Sequence, residues 1–418
     1  GRATSAAVID GRATERREYG WSQRVIRPMP LPGIREGWRL AAAEMLTAED
    51  FFAGRYTAEP GYYSYSDIDK HGEDVAFESD LRGDWKVGAN VGAWNFSVPV
   101  PWKVILPERV DGLAVVCRAV GVDREMASCV RMLPDMYKLA EIGAEAADIS
   151  LSRDIPLREI PYGELSARLN ASGCLDPAHD RGVWIDGKAD CDGKPLQPRK
   201  IEWITEPEAL AEPLATLCPG IAIWSAKKMG ERCVPALREL LSAADENTRK
   251  HAAFALAAAG SREGISVLRE TVEERDAVML RDCRKYNQHR GPMAIYHLGR
   301  LEDAESVELL GGILTDPQEA EREIYAPCDR YPAVRGFRVM YFHFMAQSVA
   351  ALVRIGNTHV SMRGRIAEIF RTAFADGTYA ARLTDRPPCS VEANYVRNLK
   401  SIAEKAAHGW TDGKEFEF

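Results

Sequence analysis

No two of the nine cysteines stand as C-x-x-C, and their number is odd. That pattern gives no zinc knuckle and no even disulfide framework, so a reducing, cytoplasmic setting is the simplest expectation. No apolar run approaches the length of a membrane span, and no signal-like apolar region opens the chain, so a membrane partner is not expected. A basic surface is missing too. The 54 Lys and Arg are outweighed by 62 Asp and Glu, for a net charge of −8 spread along the chain. This argues against a nucleic-acid partner. No two histidines share the i, i+4 spacing of a helical metal pair, so His289, His297 and His343, with Arg290 beside them, are expected to be packed or solvated. The first residue is Gly rather than Met, which suits a processed, truncated or tagged product. What is present is ordinary for soluble globular proteins: 418 residues, 46% hydrophobic and 28% charged, enough for two or three domains.

The chain is organised around Leu106–Leu151. Leu113-Ala114-Val115-Val116-Cys117 is short and β-branched enough to predict a buried strand. A polar crossing follows from Arg118 to Ser128, and Pro134 then suits the first turn of a helix. Ala140, Gly143, Ala144, Ala146 and Ala147 on that helix would let another backbone approach closely. A strand, a basic crossing and a Pro-started helix together aim free N–H groups and a positive helix end at whatever lies above. Arg118, Arg124 and Arg131 fall where anions bind well, although the same residues would serve as surface or interface cations. Cys117 and Cys129 have no His–carboxylate pattern near them and read as small packing residues.

This stretch resembles the C-terminal flavin-contacting segment of the FAD-dependent oxidoreductase family. Cys117-Arg118, Ser128-Cys129-Val130-Arg131, Met132-Leu133-Pro134 and Ala140-Glu141-Ile142-Gly143-Ala144 stand where that family has Gly-Arg, Ser-x-x-Arg, a Pro-started helix and a Gly-Gln-Ala-Ala-Gly run. Upstream, Val100-Pro101-Trp102-Lys103-Val104-Ile105-Leu106-Pro107 is similar to its Ile-Pro-Tyr-Arg-x-Leu-Leu-Pro lead-in. Ile34-Arg35-Glu36-Gly37-Trp38-Arg39, Met45–Asp50 and Tyr65-Ser66-Asp67-Ile68-Asp69 resemble earlier blocks, in the same order. The resemblance implies FAD as cofactor, contacted by Arg118, Ser128, Arg131, Met132 and Leu133, with the flavin carrying the redox chemistry. The Gly-x-Gly-x-x-Gly fingerprint that holds a pyrophosphate is nowhere in the chain. The expected partner is therefore a second polypeptide carrying the dinucleotide-binding domain, or another copy of the chain, with a small-molecule substrate. The competing expectation is a non-catalytic scaffold with a relic flavin fold.

Elsewhere the sequence is less specific. Val8-Ile9-Asp10 and the twice-occurring Gly-Arg-Ala-Thr precede an extended, Pro-marked segment from Trp21 to Pro32. Gly61–Tyr65 predicts a β-edge with aromatic packing, the alternative being a pocket lining, and Asp67 and Asp69 would share a strand face. Val183–Lys188 and Lys200–Ile204 predict two strands joined through Asp192-Gly193. Beyond Pro207 the chain resembles HEAT-type repeats. Gly230, Gly260, Gly299 and Gly356 each follow an apolar helix and suit a left-handed helix end. The expected fold is mixed α/β (a partial FAD-binding oxidoreductase fold) plus a C-terminal α-solenoid. Its expected domains are 1–170, a β-connector at 171–206, and helical repeats at 207–418.

Overall fold

A computed structural model describes residues 37–68, 79–185, 199–283, 287–327, 336–375, 378–384 and 390–416. The Gly-Arg-Ala-Thr repeats, Val8–Asp10, Trp21–Pro32, Ile34–Glu36, Asp69 and the Asp192-Gly193 turn lie outside the described residues. In chain order the main elements begin with α1 (Ala48–Ala53), β1 (Pro60–Ser66), β2 (Asn95–Pro101), α2 (Leu133–Arg153), α3 (Tyr162–Ser172), β3 (Val183–Ile185) and β4 (Arg199–Lys200). Helices follow: α4 (Gly220–Met229), α5 (Val234–Leu240), α6 (Glu246–Ala258), α7 (Ile265–Glu273) and α8 (Arg290–Arg300). The last are α9 (Val307–Thr315), α10 (Val339–Thr358), α11 (Arg363–Phe374), α12 (Thr378–Leu383) and α13 (Ser390–Thr411). The protein is thus mixed α/β, with a small sheet among many helices in the described residues.

Two compact units are interleaved in sequence. The first comprises residues 1–47, 56–62 and 100–176; the second comprises 48–55, 63–99 and 177–418. In the first, α2 buries Leu139, Ile142, Ala146 and Ile149, a 3-4 spacing that defines one helical face. Trp102, Val104, Ile105, Val120, Met126, Leu165 and Leu169 complete that core. The segment after Gly37 runs alongside it: the Leu40 N–H donates to the Ala119 carbonyl at 2.8 Å, and single bridges join Ala42 to Pro107 and Leu46 to Val122.

One expectation fails here. Leu113–Cys117 is not a strand: Leu113, Val116 and Cys117 are exposed, although the Val115 N–H still donates to the Ile105 carbonyl at 2.8 Å. The β-branched composition is that of a strand, but among the described residues no neighbouring strand supplies a ladder to bury it. Cys117 is accordingly not a packing residue, whereas Cys129 is fully buried.

The second unit is centred on aromatics. Trp85, fully buried, sits 4.8 Å from the rings of both Phe52 and Trp224, with Trp94, Phe96 and Trp203 around it. Gly61–Tyr65 falls within a strand at one edge of the sheet, as its aromatic composition suggests. The sheet order is β1-β2-β3-β4, with β3 antiparallel to both neighbours; Asn95 faces Trp184, and Trp184 faces Lys200. The second connector strand is shorter than expected and ends at Lys200.

The helices pack in sequence-near groups: α4, α5, α7 and α8 on α6, then α8 and α9 on α10, and α11 on α13. Gly230 and Gly260 take positive φ at helix ends, as their spacing predicts. Gly299 and Gly356 do not; they lie inside α8 and α10. Their role is close approach, since a Cβ at Gly299 would lie 2.7 Å from the Ala351 Cα and one at Gly356 2.4 Å from the Trp410 ring. Gly299→Ala should therefore destabilise the fold by about 1–3 kcal/mol, because backbone rather than a flexible tip must yield. Thermal unfolding of that variant checks this, and an unchanged midpoint would rule out a tight α8–α10 crossing. By length and composition α10 could cross a membrane, contrary to the sequence expectation, but 83% of its apolar window is buried inside the fold. It is a core helix.

Candidate functional site

The crossing between residues 118 and 133 folds as coil and one short turn, Met126–Ser128, closed by local bonds. The Asp123 carboxylate accepts from the Met126 N–H at 2.7 Å, and the Ser128 hydroxyl donates to the Glu125 carbonyl at 2.7 Å. Ser128 is buried and spends its hydroxyl on that turn. Arg118 reaches across the loop, its Nε donating to the Arg131 carbonyl at 3.0 Å, while Arg124 faces solvent. Arg131 is buried, and Met132 and Leu133 are exposed at the start of α2. The five residues singled out in the sequence therefore lie along one loop and helix start, but two of them point inward.

At this helix end the positive pole meets a carboxylate from its own first turn. Asp135, buried, accepts from the Met132 N–H at 2.9 Å. Tyr62 packs beside it with Lys138 Nζ 5.5 Å from its ring centroid. Burial raises the Tyr62 hydroxyl well above its ordinary range, and the Asp135 charge pushes it further. A buried acid at a helix N-terminus satisfies an otherwise orphaned N–H and offsets the dipole. It also repels a second negative group placed there. The positive end of α2 is thus met, at Met132, from within the chain.

Two polar clusters in the second unit were not legible in the sequence. In the first, Asp84 accepts from Lys227 at 2.7 Å, Tyr296 at 2.8 Å and Arg300 at 3.1 Å, at the edge of a cavity of about 430 Å³ that His297 and Arg262 also line. Burial pushes the Asp84 carboxyl up, but Arg300 and Lys227 outweigh it and hold the group below its ordinary value. In the second, Glu246, Glu274 and Asp276 bring carboxylate oxygens within 4.8 Å of one another, as a cation site would. Lys250 fills that place, with Nζ at 2.7, 2.6 and 2.8 Å from the three. Its ammonium is nearly fully buried, and burial, which lowers its pKa, is outweighed by the three carboxylates. Asp84 and Arg300 are 216 residues apart, and no local motif could have joined them.

No curated protein and no solved structure matches the chain. Residues 13–169, well under half of the 418, match the model of a family described as FAD dependent oxidoreductase, and the site built from Arg118 to Asp135 falls inside that stretch.

Proposed function

We propose that this chain is a subunit or fragment of an FAD-dependent oxidoreductase, completed by a polypeptide that carries the dinucleotide-binding fold. The observation behind this reading is the family match over residues 13–169, which contains the crossing and the start of α2. Bound FAD would supply the electron transfer. The contribution of this chain is structural: Met132 and Leu133 offer apolar surface at the start of α2, and Arg118 braces the loop through the Arg131 carbonyl. The helical half, read as a HEAT-like solenoid over 207–418, serves as a docking surface or a brace. The division at 170 and 206 belongs to this same reading.

A second reading, a non-catalytic scaffold with a relic flavin fold, draws support from Asp135, whose carboxylate occupies the helix end where an anion would otherwise sit. Both readings expect the isolated chain to hold FAD poorly. One wall leaves most of a dinucleotide in water. Calorimetric titration of the full chain with FAD is expected to give weak or no binding, and tight stoichiometric uptake would overturn that expectation. The two readings separate in the native protein purified with whatever accompanies it. Flavin absorbance in that material supports the oxidoreductase, and its absence supports the scaffold.

A further inference from the structure

The cavity beside Asp84 is walled by the ends of three helices. Lys227 comes from α4, Ala257–Gly260 from the end of α6, and His297 and Arg300 from α8. Its volume, about 430 Å³, falls in the range of small-molecule sites, roughly 300–1,000 Å³. It plays no part in the flavin reading. His297, only 2% exposed, lines it. The Nε2–H of that ring donates to the Gly88 carbonyl at 3.0 Å, and the ring stacks on Phe254 at 5.6 Å, which together fix its tautomer and orientation. Burial pushes the imidazole down to about 4, so it is neutral at pH 7. Nδ1 is then a lone-pair acceptor. Among the described residues it has no partner, yet it is not sealed off. A nearly buried acceptor left open onto a cavity calls for a ligand that donates to it.

The rest of the wall specifies the ligand's other groups. The Ala258 and Ala259 carbonyls, at the end of α6, accept no hydrogen bond among the described residues, so they too are matched by donors. Of the charged side chains, Lys227, Arg262 and Arg300 stand against Asp84 and Glu302, an excess of one positive charge. The carboxylates behind them do not cancel it, because Asp80 is shared with Arg354 and Asp303 with Arg269. Lys227 holds the usable donors: its ammonium has three N–H groups and one ion-pair partner, Asp84 at 2.7 Å. Apolar lining is confined to alanines and Leu301, too little for a fatty tail. The carbonyl ends of α6 and α8 disfavour a multiply charged anion. We propose that this cavity binds a polyhydroxylated monocarboxylate, of the sugar-acid class, with its carboxylate on Lys227 and a hydroxyl donating to His297 Nδ1.

Calorimetric titration of the full chain with D-gluconate is expected to show binding at one site. Hexanoate keeps the carbon chain and the charge without the hydroxyls, and sorbitol keeps the hydroxyls without the charge. Each should bind at least about tenfold more weakly. In the imidazole nitrogen spectrum, gluconate should shift the His297 Nδ1 signal and leave that of His251, already bonded to the Leu214 carbonyl, in place. Lys227→Met should lower gluconate affinity by about tenfold, the scale of one charge-assisted hydrogen bond. Its far-ultraviolet circular dichroism should not change, since Tyr296 and Arg300 still hold Asp84. The nitrogen shift is read on the unaltered chain, so it decides the matter even if the variant fails to fold. No gluconate binding, hexanoate or sorbitol binding as well as gluconate, an unmoved His297 signal, or a folded Lys227→Met chain with full affinity would each overturn the proposal.

Discussion

Glu319→Ala should cost the fold about 3–5 kcal/mol, the loss typical of leaving one member of a buried ion pair without its partner. Glu319 is almost fully buried, and its Oε1 accepts from Arg275 Nε at 2.6 Å and from the Tyr325 hydroxyl at 2.9 Å. Its other oxygen accepts from Arg275 Nη2 at 3.1 Å and from Arg322 at 3.0 Å. Removing the carboxylate strands the buried Arg275 guanidinium, which keeps only carbonyl acceptors such as that of Val272 at 2.6 Å. Urea unfolding of the variant measures the loss directly. Replacing both partners by apolar residues should recover most of it, because the penalty comes from the widowed charge rather than from the pair. A single variant within 1 kcal/mol of the parent, as a rough bound, would mean that Arg275 finds water instead.

The second large effect is acid lability between pH 6.5 and 4. His251, His289, His297 and His343 are each pushed down to about 4, in every case chiefly by burial. His251 has both ring nitrogens committed: Nδ1–H donates to the Leu214 carbonyl at 2.8 Å and Nε2 accepts from Arg290 at 3.1 Å, which only the neutral ring can do. The unfolded chain takes up protons near the ordinary histidine value of 6.5, and the folded one does not until about 4. Stability from these groups is therefore complete above 6.5 and is lost as pH falls toward 4. A fully buried imidazole contributes on the order of 3 kcal/mol over that window; His289 and His343 keep some solvent contact and count for less. One group works in the opposite direction. Burial pushes the Asp282 carboxyl up to about 7, although Asn90 and the Gly220 N–H each donate to it at 2.7 Å. Asp282 favours the fold at low pH and loses that contribution as pH rises toward 7. With four histidines against one aspartate, the net slope should be positive. Urea midpoints across pH 4 to 6.5, with imidazole nitrogen shifts for His251, check both points. A flat profile, or His251 titrating near its ordinary value, would refute the neutral assignment.

What could be read in advance divides by range. The start of α2 follows from Pro134, the β1 strand from its run of tyrosines, and the positive-φ glycines at 230 and 260 from apolar helices that stop there. Each is a local rule with a local cause. Leu113–Cys117 misleads because composition reports what a segment would do with a neighbour, and among the described residues no strand pairs with it. Gly299 and Gly356 mislead because a glycine needed for a close crossing looks the same in sequence as one needed for a turn. At the candidate site, Arg118, Ser128, Arg131, Met132 and Leu133 do fall on one loop and helix start. What was missed is Asp135, whose presence three residues past Met132 is visible in sequence but whose inward turn depends on the packing around Tyr62. The Asp84 and Lys250 clusters depend on contacts that only the folded chain makes.

The interleaving of the two units has a genetic consequence. The second unit draws on 48–55 and 63–99 as well as 177–418, and Asp84, from the early segment, is tied to Arg300 and Lys227 from the late one. No single breakpoint in the gene yields either unit whole. A truncation after residue 170 or a start codon at 207 would leave Trp85 and Asp84 on one product and Trp224, Lys227 and Arg300 on the other. Shuffling of exons or gene halves, which readily moves a terminal repeat array between proteins, would be blocked here. For the second unit to be whole, residues 48–55, 63–99 and 177–418 must all be present.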